Sequence, residues 1–357
     1  MSSLNSYNFL TIDQQQKNNE LLSCANLSNV SIITMRYKRG MHADVYEDFE
    51  ADILKYTGWK AVKGSLNIFE RVFEKYFLPR LKYRTFQFNL PGLNRNRILF
   101  ASLSGSEYIK IFQHYIFQSK LKIIYQFDSW THDNVINENA FRSFRINIAF
   151  ISIKKAAEYF NSLNIPDFKA YWMPEAVTCD RYHACDYSEK EIDILQFGRR
   201  WEWLHEQLIP CCQAIKINYQ YPKESGNVKR QFKNREELLN GLSKTKIAIC
   251  VPKTITHPDT YDLSTVTSRY FECMASKCLI LGHAPQDLIN SFGYNPVVEA
   301  DHSMIYSQVK HILDHFTEFI PLIEKNYRNV KQNHQWKNRI ADMERVISGH
   351  IDSNKCR

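Results

Sequence analysis

Three loops in the second half of the chain hold the residue types that grip a phosphate. They are Gly198-Arg199-Arg200, Pro252-Lys253-Thr254 and Thr265-Val266-Thr267-Ser268-Arg269. Arg199 or Arg200, together with Lys253, would neutralise a diphosphate. A helix starting near Ser268 would add free backbone amides and the favourable end of its dipole. Glu272, one turn into that helix, supplies an acceptor of the kind that ribose hydroxyls need. Alone, each of these residues is ordinary, because loop arginines are usually solvated and helix carboxylates common. The weight therefore rests on three loops meeting at one edge.

For the loops to meet, each must follow a strand of one parallel sheet, because ligands of open α/β sheets bind beyond the carboxyl ends of the strands. The pattern predicts this arrangement twice. In the first half, strands over 30–35 (VSIITM), 97–102 (RILFAS), 121–127 (LKIIYQF) and 146–151 (INIAFI) alternate with helices over 45–57, 107–118, 134–144 and 154–163. In the second, strands over 192–197 (IDILQF), 215–221, 246–251 (KIAICV), 278–281 and 297–298 alternate with helices over 202–214, 235–242, 269–276, 304–316 and 319–347. Alternation of this length predicts two Rossmann-like, doubly wound α/β domains facing a cleft. The polar stretch 171–191 reads as their connection. The expected boundaries are a polar N-terminal extension (1–27), a first domain (28–187), a second domain (188–335) and a C-terminal helix (336–357) that packs back on the first domain.

Missing motifs narrow the chemistry. No GxGxxG follows a strand, which argues against a dehydrogenase, and there is no P-loop and no Asp-x-Asp pair to hold a metal under a diphosphate. Leaving charge would then be balanced by arginine, lysine and helix amides, without a metal or cofactor. Nine cysteines include no CxxC pair, so they read as reduced, structural thiols. At 357 residues, with 44% hydrophobic and 24% charged, the chain suits two globular domains, and no apolar run approaches the roughly 20 residues of a membrane span. The polar leader lacks a signal-peptide pattern, so the expected location is the cytoplasm. A net charge of +8 suits an acidic partner. The stretch from Lys60 to Arg84 interleaves seven basic residues with aromatics. It reads as a solvated helix face or as a peripheral contact with an anionic inner membrane face.

The run SRYFECMASKCLILGHAP (268–285) resembles the group 1, retaining, GT-B glycosyltransferases, whose acidic helix reads roughly E-A-M-A-x-G-x-P. ILQFGR (194–199) resembles the strand and Gly-Arg that open their donor domain, and MPEAV (173–177) with Tyr182 resembles their interdomain Pro-Asn-Gly-Val. YQFDSWTHDN (125–134) resembles their strand and His-Asp loop. The motifs fall in family order over nearly the whole chain. The resemblance implies that Glu272 binds the donor ribose, Arg199 the diphosphate and His132 the donor sugar near the reacting carbon. Asp128 would position the acceptor hydroxyl or cap a turn, and His257 and Asp259 would touch the sugar. Ser264 stands where the family often has a second glutamate, with Asp262 nearby, and Leu204 and His205 stand where it has a lysine, whose place Arg200 or Lys253 would take. Lys277 occupies the motif's glycine.

The resulting expectation is transfer of a sugar from a nucleotide-sugar donor, UDP-linked first among the candidates, to a surface polysaccharide, a lipid-linked glycan or another glycan acceptor. His132 and Asp128 would serve catalysis, and Arg199, Arg200, Lys253, Thr267, Ser268, Arg269 and Glu272 would hold the donor. The alternative is a catalytically silent relative that binds and organises a polysaccharide-building complex. Nucleic-acid binding rests on charge alone, with no binding module to support it.

Overall fold

The computed structural model describes residues 27–34, 44–63, 97–105, 119–214, 216–222, 231–257 and 263–355. The first domain is a six-stranded parallel sheet of β1 (Val30–Thr34), β2 (Lys60–Lys63), β3 (Arg97–Leu103), β4 (Ser119–Gln126), β5 (Ile148–Ile151) and β6 (Lys169–Trp172), in the order β2-β1-β3-β4-β5-β6. Helices α1 (Asp44–Thr57), α2 (Asn134–Phe144) and α3 (Lys154–Ser162) cover it. Alternate residues of each strand face opposite layers. Leu99, Ile124 and Ile151 pack with Phe141, Phe144 and Phe160 of α2 and α3, while Phe100, Tyr125 and Phe150 pack with Phe49 and Ile53 of α1. Burial on both faces explains the near-continuous apolar strands.

The second domain is a five-stranded parallel sheet of β7 (Ile192–Leu195), β8 (Tyr219–Gln220), β9 (Thr245–Cys250), β10 (Leu279–Gly282) and β11 (Val298–Glu299), ordered β11-β10-β9-β7-β8. Its helices are α4 (Glu202–Ala214), α5 (Arg235–Ser243), α6 (Lys253–Thr256), α7 (Ser268–Ala275), α8 (Gln286–Phe292), α9 (Ile305–Asp314) and α10 (Phe316–Asn333). One face packs Leu195, Ala248 and Ile280 on Tyr270, Phe271 and Met274 of α7, and the other packs Ile194, Ile247 and Leu281 on α4 and α9. The last helix, α11 (Trp336–Lys355), places Trp336, Ile340, Met343 and Ile347 in the first domain's core, with the Trp336 ring 4.4 Å from that of Phe49.

The chain crosses between domains twice, and the two crossings are tied together. The Val177 amide donates to the His334 carbonyl (3.3 Å), and the Trp336 amide to the Val177 carbonyl (3.1 Å). Buried Arg339 donates from Nε to the Pro174 carbonyl at 3.1 Å.

Several elements depart from expectation. The segment beginning at Tyr171 is not all connection, because Lys169–Trp172 forms edge strand β6 against β5. The short KAVK and KAYW runs carry too little apolar pattern to read as strands, and only pairing with a neighbour makes them so. β8 is two residues long, not seven. α8 follows Pro285 and was not expected. The helices expected over 319–347 are α10 and α11, which part at His334 and Gln335, where the chain returns to the first domain. The helix expected over 107–118, and most of the basic stretch 60–84, lie outside the described residues.

Candidate functional site

In the second sheet the strand order reverses between β7 and β9, the neighbours whose connections run in opposite directions. The loops after these two strands open into one crevice, and a parallel sheet binds ligands there. The first supplies Gly198 and Arg199, the second Lys253. Gly198 has φ of +70°, and a Cβ there would lie 2.7 Å from Arg269 Nη2. Its missing side chain therefore makes room for the Arg269 guanidinium, which lies 5.4 Å from the Phe197 ring. A glycine turn thus sets two cations side by side.

Arg199 is the more enclosed cation. Its Nε and Nη2 are shielded from solvent and meet no hydrogen-bond partner. Burial first, then repulsion from Arg269, lowers its pKa to about 10, while Asp128 and Glu175 pull it upward. Unsatisfied guanidinium donors in a buried position are costly, and an oxyanion in the crevice would satisfy them.

The first domain contributes from the loop after β4. Burial raises the Asp128 carboxyl, and Lys253, Arg199 and a hydrogen bond from Trp130 oppose the rise. Lys253 Nζ lies 3.9 Å from the centroid of the Trp130 ring, a cation–π contact that closes this side of the cleft between the two domains. His132 sits in the short turn Thr131–Asp133, half exposed, with Nε2 3.5 Å from Asp133 Oδ2.

Helix α7 forms the floor. Thr267 is its N-cap residue but makes no side-chain cap. The Ser268 amide instead donates to Glu175 Oε2 at 2.7 Å. Tyr270 fixes the helix to β10 through its hydroxyl and the His283 carbonyl at 2.6 Å. Glu272 is buried and accepts from the Tyr182 hydroxyl at 3.0 Å. That hydroxyl in turn accepts from Arg235 Nη2 at 3.2 Å, and Arg235 pairs with Asp48 of α1.

Arg199, Lys253, Ser268, Arg269, Glu272 and Asp128 thus gather around the crevice. Arg200 points elsewhere: its guanidinium is held by both oxygens of Glu202 and by the Pro222 carbonyl. Leu204 is fully buried, and His205 is bound to the Tyr219 hydroxyl at 3.1 Å, so neither lends charge to the cleft. His257 is tied to Thr256 Oγ1 at 2.9 Å. Asp259 and Asp262 lie outside the described residues. The structure adds Glu175, Arg235 and Asp48 to the site and its supports. One sequence signal existed for Glu175, an acid standing alone in the apolar run WMPEAV. Among the described residues no group of His, Cys, Asp and Glu has the arrangement of a metal site, and no helix is long and apolar enough to cross a membrane.

Two Rossmann-like parallel domains with a cleft between them, joined by a double crossover and a returning C-terminal helix, make the GT-B architecture of glycosyltransferases. Residues 189–345 match the family model described as "Glycosyl transferase-like", so the sequence of the second domain carries the same assignment. Among solved structures, HepE of Anabaena in complex with UDP and glucose superposes with a TM-score of 0.55 at 6% identity, covering 90% of this chain and 99% of that one. Sucrose-phosphate synthase from Thermosynechococcus elongatus gives 0.53 at 7% identity, covering 91% and 99%. At these identities the likeness is one of fold. No curated protein sequence matches the chain. The fold is thus GT-B, and the second domain, less than half of the chain, is glycosyl transferase-like in sequence.

Proposed function

We propose that the protein transfers a sugar from a UDP-linked donor to a glycan acceptor, with the diphosphate held by Arg199, Arg269 and Lys253 and the ribose by Glu272. The observation that carries this reading is the pair of enclosed, unpartnered nitrogens on Arg199 at the strand-order switch point. Support for UDP comes from HepE, which was solved with UDP and glucose. In the reaction, the acceptor hydroxyl oxygen forms a bond to the anomeric carbon while the carbon–oxygen bond to the diphosphate breaks; the diphosphate leaves with that electron pair and its freed oxygen takes the hydroxyl proton. Asp128 orients the acceptor hydroxyl from the opposite wall, and His132 contacts the donor sugar. Arginine, lysine and the α7 amides stabilise the departing charge without a metal. Retention of anomeric configuration follows from the family resemblance. The acceptor is a surface polysaccharide or a lipid-linked glycan, presented at an anionic membrane face by the basic stretch beginning at Lys60.

A thermal-shift panel of UDP, GDP, CMP and ADP tests the donor, since a specific ligand stabilises the fold by mass action. UDP should raise the melting temperature most, and Glu272→Ala should remove that shift. Release of UDP from a UDP-sugar in the presence of acceptor then separates an enzyme from a binding protein. Binding without turnover under any acceptor would favour the scaffold alternative.

A further inference from the structure

Glu175 lies on the first crossover, two residues before the Val177 that pairs with the second. Its carboxyl reaches into the second domain and takes the Ser268 amide, the first free donor of α7. A donor diphosphate placed against Arg199 would need that same amide, because a helix N-terminus is where phosphate oxygens settle. The site already holds three carboxyls, those of Asp128, Glu175 and Glu272, and the first and last raise the proton affinity of Glu175. The cations facing them are Arg199 and Lys253, with Arg269 beside Arg199. The Tyr182 phenol is hydrogen-bonded to Glu272, while Tyr125, its hydroxyl on the Met173 carbonyl, lies within electrostatic reach of Glu175 and of Arg339 from α11. Two phosphate charges added beside these carboxyls leave excess negative charge in a poorly solvated space whenever all three are ionised, which favours the neutral form of one of them.

We infer that Glu175 is the proton-dependent member of the donor site: its neutral form yields the α7 amide to the donor diphosphate, and where it starts ionised it must bind one proton as the donor enters. This rests on the donor reading above. Of the three carboxyls Glu175 is the one poised for the task. Burial pushes it up to about 8, with Asp128 and Glu272 adding to the rise and the Ser268 amide holding it back. An arriving diphosphate raises it further. Donor affinity should therefore be level below about pH 8, where Glu175 is already neutral, and fall about tenfold per pH unit above it. The crossover would be freed from α7 in the same event, linking donor binding to movement between the domains.

Calorimetric titration of the full chain with UDP-glucose between about pH 6.5 and about pH 9 is the test, because a diphosphate esterified at both ends keeps its charge over this range. Wild type should show the falling limb. Glu175→Gln should bind at every pH as tightly as wild type does on its acid side. A falling limb that persists in Glu175→Gln, a level wild-type profile, or a folded Glu175→Gln that no longer binds UDP-glucose would each overturn the inference while leaving the donor reading in place. Failure of wild type to bind UDP-glucose at any pH would overturn the donor reading, and the inference with it. Circular dichroism confirms that each variant is folded.

Discussion

The Tyr182 hydroxyl, on the crossover between the domains, donates to the Glu272 carboxylate in the second domain at 3.0 Å. It also accepts from Arg235, which pairs with Asp48 in the first domain. The ribose-binding carboxylate proposed here is therefore oriented by a chain of contacts that reaches across the molecule. Tyr182→Phe keeps the ring and its packing but leaves Glu272 without this donor and Arg235 without this acceptor. UDP affinity should weaken roughly fivefold, about 1 kcal/mol, with little change in melting temperature. Isothermal titration calorimetry beside a thermal melt checks it, and an unchanged affinity would detach Glu272 from nucleotide binding.

Neighbouring arginines should behave differently. Arg199 carries two buried nitrogens without partners, whereas the Arg200 guanidinium is taken up by Glu202 and Pro222. Arg199→Ala should cost UDP affinity about 2–3 kcal/mol, the size of a charge-assisted bond lost from an enclosed site. Arg200→Ala should leave affinity within about threefold of wild type and lower stability slightly. Equal losses in the two variants would contradict the geometry.

Gly198 answers to two constraints at once, a φ of +70° and the Arg269 guanidinium above its α-carbon. Gly198→Ala strains the backbone and displaces a cation of the site. A loss of roughly 1–3 kcal/mol in urea unfolding should accompany weaker UDP binding. Stability lost with binding intact would show that Arg269 has no part in holding the donor.

The break between α10 and α11 carries a proton-sensitive residue. His334 is buried against the rings of Phe271 and Phe292, stacked on them at 5.3 and 4.7 Å, and its Nδ1 accepts from Arg339 Nη2 at 3.0 Å. Burial, then Arg339, hold its pKa well below the ordinary histidine value. The imidazole is thus neutral when folded and protonates when unfolded. As pH falls below about 6.5 the unfolded chain binds a proton that the folded one refuses, and stability drops by about 1.4 kcal/mol per pH unit from this group. His334→Asn keeps an acceptor for Arg339 and does not titrate. It should be less stable than wild type at pH 7.5, yet flatter between about pH 6.5 and about pH 5 in denaturant melts. Parallel profiles would remove His334 as the source.

The α/β class was legible in the residues because a parallel sheet covered on both faces demands apolar strands such as IDIL and KIAIC, and its covering helices demand the 3.6-residue spacing seen in α2 and α4. The loops at the carboxyl ends, with Arg199, Lys253 and Ser268, followed from that class, since a strand's end is local information. What the sequence left open were relations between distant segments. KAYW becomes β6 only by pairing with β5, and the junction between α10 and α11 is fixed where His334 and Gln335 bond to a crossover more than 150 residues earlier. Arg199 and Arg200, adjacent and chemically alike, were indistinguishable until Glu202 captured one and the crevice enclosed the other. The place of Glu175 on the α7 amide was likewise decided by tertiary structure alone, because hydrogen bonds between side chains and remote backbone depend on where the domains meet, and no local pattern records that.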